Sequence, residues 1–293
     1  MSERSGPGVV NRLARASLRG WGTLTADLRA EPDYIVIGTK RGGTTSLAAY
    51  LYGHPSVTPL FPERLAPKGV RYFDEHYDRG DRWYRSHFAT VLSRGSVHQP
   101  RKLAGESTAN YLFHPRAAER AAHAAPDAKI LVLVRDPVER AWSHWRERSR
   151  LGVETLSFED ALDAEEVRLG DARVQLAANP RSLVPLASNF AYRAQGCYAD
   201  LLPSWFDQFP EDQIMVVVSE DLYADPAGTY ARVLAFLGLA PFDLGQYEAK
   251  NYHPPLASME PASRQALEAF YAPHNRRLEA FLARELSWSH RRV

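Results

Sequence analysis

Cysteine is nearly absent from this sequence, and neither sign of charge prevails in it. The single cysteine, Cys197, excludes an internal disulfide, and we expect it to be a small buried residue. The 36 Lys and Arg residues almost balance the 35 Asp and Glu residues, which leaves a formal net charge of +1. Such a balance favours neither nucleic acid nor an anionic membrane as a partner. Any anion-binding site must therefore be local.

Long apolar runs are also missing. Residues 1–30 are rich in arginine and contain no apolar run long enough for a signal peptide or a membrane span. We therefore expect a cytoplasmic protein without a transmembrane segment, with an N-terminal extension over residues 1–30 that is loosely packed. Residues 31–293 are expected to form one domain, because 45% hydrophobic and 11% aromatic residues can build a sizeable core. The composition carries no signal for an oligomeric state.

Short apolar, β-branched runs alternate with helical patterns along the chain. Strands are predicted in DYIVIG (33–38), KILVLVRDP (129–137) and QIMVVVSE (213–220). Pro137 opens the helix after the second strand, and Asp225 caps the helix after the third. The alternation predicts an α/β fold with a central parallel sheet flanked by helices in three layers, with ligands at the carboxyl ends of the strands.

Two later segments complete the predicted layout. Residues 156–178 have a helical pattern, and residues 179–188 are expected to form a loop that could cover a substrate. The tail after Pro261 has helical spacing, and Pro273 predicts a break into two consecutive helices.

The loop GTKRGGTT (38–45) follows the first predicted strand and opens a helix. Its glycines can present several backbone N–H groups to one anion, helped by the positive end of the helix dipole. The spacing matches the nucleotide P-loop, except that Thr44 stands at the lysine position and the cations come earlier, at Lys40 and Arg41. A tight turn with solvated cations is the structural alternative. The missing lysine argues against magnesium-dependent nucleotide triphosphate chemistry.

A second cationic position follows the second predicted strand. Arg135 leaves that strand, and Ser143 lies two helical turns further along. A guanidinium and a hydroxyl suit one dianionic phosphate, although Arg135 could instead pair with a carboxylate. Two anion sites on neighbouring strands imply a ligand with two separated anionic groups. One such ligand is 3′-phosphoadenosine 5′-phosphosulfate (PAPS).

At these residues the chain resembles the PAPS-dependent sulfotransferase family, and most of all the branch with the heparan sulfate sulfotransferases. The resemblance rests on KRGGTTSL (40–47), LVRDPVERAWSHW (133–145), RYFDEHYDRGDRWYRSHF (71–88) and GESTANYLFHP (105–115). It implies a P-loop-like fold and in-line transfer of a sulfuryl group from PAPS to a hydroxyl or amine. The products would be a sulfated carbohydrate or other small molecule and adenosine 3′,5′-bisphosphate (PAP). No set of His, Cys and carboxylate residues has the spacing of metal ligands, so we expect no metal. The balanced charge predicts no nucleic acid partner.

The resemblance also implies a set of cofactor-binding residues. The 5′-phosphosulfate would be surrounded by Lys40, Arg41, Gly42, Gly43, Thr44, Thr45 and Ser46. The 3′-phosphate would be bound by Arg135 and Ser143. Tyr198 would lie near the cofactor, and Lys250 and Asn251 would belong to a loop that closes over the phosphates.

Two departures from the heparan sulfate branch affect the catalytic assignment. The lysine that stabilises the leaving phosphate in that branch is replaced here by Arg41, with Lys40 as the alternative for this role. The branch's catalytic glutamate is replaced by Gly69. We take Glu106 as the first choice for the general base. The alternatives are Asp74, Glu75, His76 and Glu63.

Two other functions remain open at this stage. A P-loop nucleotide kinase or nucleoside triphosphatase would share the loop, and a non-catalytic module that binds PAPS would explain the missing glutamate.

Overall fold

The core of the computed structural model is a five-stranded sheet in which every strand is parallel to its neighbours. The structure describes residues 17–18, 20–62, 69–95, 101–170, 178, 189–250 and 258–288. The strands lie in the order β2-β3-β1-β4-β5. Their bounds are β1 Tyr34–Gly38, β2 Val57–Thr58, β3 Leu103–Ser107, β4 Lys129–Val134 and β5 Ile214–Val218.

Helices follow the strands as predicted. They are α1 Thr44–Gly53, α2 Asp81–Arg85, α3 Ala117–Ala124, α4 Pro137–Arg150, α5 Phe158–Asp163, α6 Glu165–Leu169, α7 Tyr198–Leu201, α8 Pro203–Phe206, α9 Ser219–Ala224, α10 Pro226–Leu237 and α11 Pro261–Leu282. Within the described part of the chain, no helix is both long enough and apolar enough to cross a membrane.

The two faces of the sheet bury different residues of the same strands. Ile35 and Ile37 of β1 belong to the core beneath α3, α7 and α8, whereas Tyr34 and Val36 belong to the core beneath α1 and α10. This alternation follows from the two-residue period of a strand. Because helices cover both faces, the predicted three-layer α/β fold is confirmed.

Strand β1 lies at the centre of the sheet, where it brings distant parts of the chain together. Ile35 is in register with Glu106 of β3, and Val36 is in register with Leu131 of β4. Because the strands are parallel, their carboxyl ends share one edge of the sheet. The loops after β1, β4 and β5 therefore meet there.

Helix α4 begins where the sequence predicts. The Asp136 carboxylate accepts hydrogen bonds from the backbone N–H groups of Val138, at 2.9 Å, and Glu139, at 3.4 Å, and Pro137 occupies the first turn. This cap satisfies donors that have no partner inside the helix. It also sets the direction in which α4 leaves the sheet.

The C-terminal prediction of two helices is wrong, because α11 continues through Pro273 as a single helix. Leu267 and Tyr271 are buried before the proline and Leu278 after it. Burying all three on one helix outweighs the hydrogen bond that proline cannot donate.

The described end of the N-terminal extension packs against the domain. Ala26 is buried, and Arg29 forms an isolated antiparallel bridge with Thr90 and donates a hydrogen bond to the Phe88 carbonyl. The expectation of loose packing is therefore wrong for residues 26–29. The domain boundary at residue 30 stays a prediction.

Removing the cap of α4 should destabilise the protein. We expect Asp136→Ala to lower the free energy of unfolding by about 1 kcal/mol, whereas Asp136→Asn should retain most of it, because asparagine also caps helices. Urea denaturation of the two variants checks this. Equal losses in both would show that the negative charge, rather than the cap, matters.

Candidate functional site

The loop after β1 is a tight turn that delivers the chain to the start of α1. Thr39 N–H donates to the Leu133 carbonyl at 2.8 Å, and Gly42 N–H donates to the Thr39 carbonyl at 3.0 Å. Arg41 and Gly43 both have positive φ angles, of 69° and 90°. A glycine adopts this conformation at little cost, whereas Arg41 is held there by its surroundings.

A cavity of about 1190 Å³ opens at the carboxyl edge of the sheet, beside this loop. Its lining comes from the loop, most of the length of α4, the short helix α9, residues 249–250 and 258–259, Ala109, Arg135, and Arg264 of α11. Most of the residues predicted to bind the cofactor line it: Lys40, Arg41, Gly43, Thr44, Thr45, Arg135 and Ser143. The two anion sites predicted from separate segments therefore face a single cavity.

Arg41 connects these two sites directly. Its Nε donates a hydrogen bond to Ser143 Oγ at 3.0 Å, and its own carbonyl accepts one from Arg135 Nη1, also at 3.0 Å. The side chain thus reaches the segment predicted for the 3′-phosphate, while its backbone belongs to the segment predicted for the 5′-phosphosulfate. Because Lys40 precedes Arg41 in the loop, the residue that contacts Ser143 is an arginine.

Tyr198 lies beneath the cavity and outside its lining, 1% exposed. Its hydroxyl donates to the Arg135 carbonyl at 3.0 Å and accepts from the Arg135 N–H at 3.3 Å. In this structure Tyr198 positions the backbone of Arg135.

Two other predicted residues also support the cavity from outside its lining. The Gly42 carbonyl accepts a hydrogen bond from Ser219 Oγ at 2.6 Å, and Ser46 Oγ accepts one from the Lys250 N–H at 2.9 Å. Lys250 itself lines the cavity. Asn251, predicted with it, lies outside the described residues.

The short helix α9 contributes lining residues that the sequence analysis did not single out: Ser219, Glu220, Tyr223 and Ala224. A Cβ on Gly43 would lie 2.9 Å from the Tyr223 hydroxyl, so the loop and α9 are in close contact. Helix α9 follows β5 immediately. Because ligands of α/β folds bind at the carboxyl ends of the strands, this position in the sequence could have identified the helix as part of the site.

Burial and positive charge change the acidities of the cations in the cavity. Burial and, to a smaller extent, the positive charge of Arg148 together lower the pKa of Lys40 to about 7. Burial also lowers the pKa of Arg41 from its usual range, although an arginine stays protonated at neutral pH. Lys40 can therefore be charged or neutral at physiological pH.

Glu106, the first choice for the general base, is not brought to the cavity. Its side chain is 1% exposed, and its oxygens accept four hydrogen bonds from other buried groups. The donors are the Val70 N–H at 2.7 Å and the hydroxyls of Thr108, Tyr111 and Tyr84 at 2.7, 2.8 and 3.1 Å. With its acceptor sites used internally, we do not carry Glu106 forward as the base.

The same network explains the glycine at position 69. A Cβ there would come closer than 3.0 Å to the Ser107 carbonyl oxygen and the Thr108 hydroxyl. Glu106 and Thr108 hold residues 70 and 71 through backbone N–H groups. The segment therefore lies too close to β3 for a glutamate at position 69.

The alternatives for the base also lie outside the lining in the described residues. Burial raises the pKa of Asp74 to about 7, and burial lowers the pKa of His76. Neither these two nor Glu75 line the cavity, and Glu63 falls outside the described residues. The carboxylates that the described lining does contain are Glu139, Glu147 and Glu220.

A cluster of possible metal ligands lies elsewhere, where the sequence analysis found none. Ligand atoms of Cys197, Asp200 and His274 lie within 4.8 Å of one another, and Cys197 is buried as expected. Arg277 already contacts two of them, with Nη1 2.7 Å from Asp200 Oδ1 and Nη2 2.8 Å from His274 Nδ1. The expectation of a metal-free reaction stays a prediction.

Comparison with known proteins decides the family. A model of the sulfotransferase family matches residues 32–243, which include the loop, Arg135, Ser143 and the start of α9. The chain belongs to the sulfotransferase family. This confirms the predicted resemblance and the predicted transfer of a sulfuryl group.

Individual relatives agree with this assignment. The sulfotransferase is 30% identical over 284 residues to human heparan sulfate glucosamine 3-O-sulfotransferase 6, covering 89% of this chain and 74% of the relative. It is 29% identical over 281 residues to human bifunctional heparan sulfate N-deacetylase/N-sulfotransferase 3, covering 86% of this chain and 30% of that protein. A sulfotransferase structure from Alicyclobacillus acidocaldarius is 30% identical with a TM-score of 0.68, covering 89% of this chain and 100% of that one.

Replacing Glu106 should affect stability more than transfer. In Glu106→Gln, the amide nitrogen would face hydroxyl and N–H donors, so we expect unfolding to become easier by about 1–3 kcal/mol. The kcat of the folded enzyme should fall far less than the roughly 10²-fold typical of a lost general base. Urea denaturation and an assay of sulfuryl transfer measure the two effects, with the exposed Glu119→Gln as control. A 10²-fold loss of kcat at unchanged stability would restore Glu106 as the base.

Proposed function

We propose that this sulfotransferase uses PAPS as the sulfuryl donor and transfers the group to a hydroxyl or amine of a carbohydrate or other small molecule. The observation that carries the proposal is the Arg41 bridge, which joins the loop after β1 to Ser143 and Arg135 around one cavity. A ligand with two anionic ends, such as PAPS, suits two cationic segments that line one cavity. The product would be PAP.

The residues present fit both ends of the donor. At one end, the N-terminus of the ten-residue helix α1 presents Thr44 and Thr45 to the cavity, where N–H groups and the helix dipole favour an anion. At the other end, Arg135 offers a guanidinium and Ser143 a hydroxyl, which suit a phosphate dianion. A nucleotide P-loop would need a lysine at Thr44 for β- and γ-phosphates.

The positive charges of the loop, on Lys40 and Arg41, would stabilise the negative charge that develops on the leaving group. When bound, PAPS would provide an activated sulfuryl group whose departure leaves negative charge on a phosphate oxygen. Arg41 would stabilise that charge through its N–H groups without giving up a proton, and Lys40 remains the alternative. Because both side chains are largely buried, their attraction to an anion is weakly screened.

The remainder of the cavity offers room for an acceptor. Besides the residues that would bind PAPS, the cavity is lined by Trp142, Arg146, Met259 and Arg264. An indole ring can pack on a sugar face or another apolar surface, and arginines can pair with acidic substituents. A carbohydrate acceptor is supported by the relatives, whose names state heparan sulfate glucosamine as their substrate.

The direct test is a screen with labelled PAPS against carbohydrate, phenol and amine acceptors, with PAP measured independently. We expect label transfer and equimolar PAP with at least one acceptor, and no transfer by Arg41→Ala. Binding of magnesium-ATP without binding of PAP would favour a nucleotide kinase or triphosphatase. Binding of PAP without transfer to any acceptor would indicate a binding module.

Removing the cation after β4 should weaken binding of the cofactor product. We expect Arg135→Ala to raise the Kd for PAP by about 10- to 100-fold, because a charge-assisted hydrogen bond is worth about 1.5–3 kcal/mol. Calorimetric titration measures this. Arg150→Ala, which alters an exposed residue at the other end of α4, is the control and should bind PAP like the wild type. Equal affinities in all three proteins would contradict the assignment of Arg135.

Binding of PAP should depend on pH through Lys40. Because burial lowers the pKa of Lys40 to about 7, the free site loses a proton as the pH rises above 7. A bound anion favours the charged amine, so binding takes up a proton and affinity falls as the pH increases from 7 to 9, by at most about tenfold per unit. Titrations with PAP across this range measure the slope. Lys40→Gln should flatten it and Lys250→Gln should not; an unchanged slope in Lys40→Gln would refute the explanation.

A further inference from the structure

A carboxylate lies among the cations that are proposed to bind the cofactor. Glu147 is one helical turn after Ser143 on α4, so the two side chains share a face of the helix. The guanidinium of Arg41 contacts both, with Nε 3.0 Å from Ser143 Oγ and Nη1 3.0 Å from Glu147 Oε1. One arginine thus serves the proposed phosphate site and this carboxylate together.

Glu147 is surrounded by positive charge. Besides Arg41, it contacts Arg148 Nη2 at 2.9 Å and lies 4.0 Å from Lys40 Nζ, with 13% of its side chain exposed. Burial on its own would raise the pKa of Glu147, but attraction from Arg41, Lys40 and Arg148 outweighs burial and lowers it. The carboxylate is therefore ionised at neutral pH.

An anionic ligand and Glu147 compete for the same donors. Arg41, whose Nη1 donates to Glu147, and Glu147 itself both line the cavity. A phosphate or sulfate group within reach of Arg41 would face the negative charge of Glu147 at short range, where repulsion in a partly buried site is strong.

We propose that Glu147 is an internal counter-ion for Arg41 and Lys40, which a cofactor anion must displace from Arg41. This inference rests on the proposed PAPS site and adds a residue that regulates its affinity. The displaced carboxylate keeps a partner, because Arg148 holds Glu147 and is itself anchored by Asn189 Oδ1 at 3.0 Å. Glu147 stabilises the cations when the site contains no anion, and it speeds the departure of PAP after transfer.

The test compares PAP binding by the wild type, Glu147→Gln and Glu147→Asp. Glutamine keeps the size of the side chain and removes its charge, so we expect a Kd about tenfold lower than that of the wild type. Aspartate keeps the charge, so its Kd should stay closer to the wild-type value. In thermal melts, Glu147→Gln should unfold at a lower temperature than the wild type without PAP and show a larger increase with saturating PAP.

A matched control lies on the same helix. Glu139 also lines the cavity, but its ion pair is with Arg264 at 2.6 Å rather than with the loop cations. Glu139→Gln removes the same charge from the same wall, and we expect its Kd for PAP to stay within about twofold of the wild type. A gain in Glu139→Gln equal to that in Glu147→Gln would refute a specific counter-ion, because any lost negative charge would then suffice.

The outcomes separate this inference from the proposed function. If the wild type binds PAP and Glu147→Gln binds it equally or more weakly, Glu147 only supports Arg41 and the counter-ion role is refuted. A roughly 10²-fold loss of kcat in Glu147→Gln at unchanged PAP affinity would also refute it and assign Glu147 as the general base. If the wild type binds no PAP at all, the proposed cofactor site itself fails.

Discussion

The site depends on the position of one arginine. Arg41 has a positive φ angle, its carbonyl is held by Arg135, and its guanidinium spans the distance to Ser143 and Glu147 on α4. These contacts join segments about a hundred residues apart in the chain. Arg41 joins two cationic segments around one cavity, which is the arrangement that the proposed donor PAPS, with its two anionic ends, would require.

A second constraint lies on the neighbouring strand β3. There Glu106 accepts a hydrogen bond from the Val70 N–H and holds the segment around Gly69 close to the end of the strand. Four internal hydrogen bonds occupy this carboxylate, and the close approach they impose leaves no room for a side chain at position 69. The glycine at position 69 therefore has a structural reason. The acidic groups that do face the cavity in the described residues come from α4 and α9 instead.

Charge balance inside the cavity links affinity to turnover. A site with unopposed buried cations would be costly to fold and would release an anionic product slowly. An internal carboxylate reduces both effects, because it stabilises the cations in the free enzyme and weakens the hold on the product. Glu147 has the contacts needed for this role, whereas Glu139, on the same helix, has a different partner.

The amino-acid sequence by itself determined the local features: the alternation of strands and helices, the start of α4 at its Asp136 cap, and the composition of the anion-binding loop. These follow from periodicity, capping and spacing, which act over a few residues. Only the tertiary structure decided which distant side chains meet. It showed that Glu106 is an anchor, that Glu147 faces the loop cations, and that α11 continues through Pro273. The reason is that such contacts depend on strand order and helix packing, which bring residues together regardless of their separation in the chain.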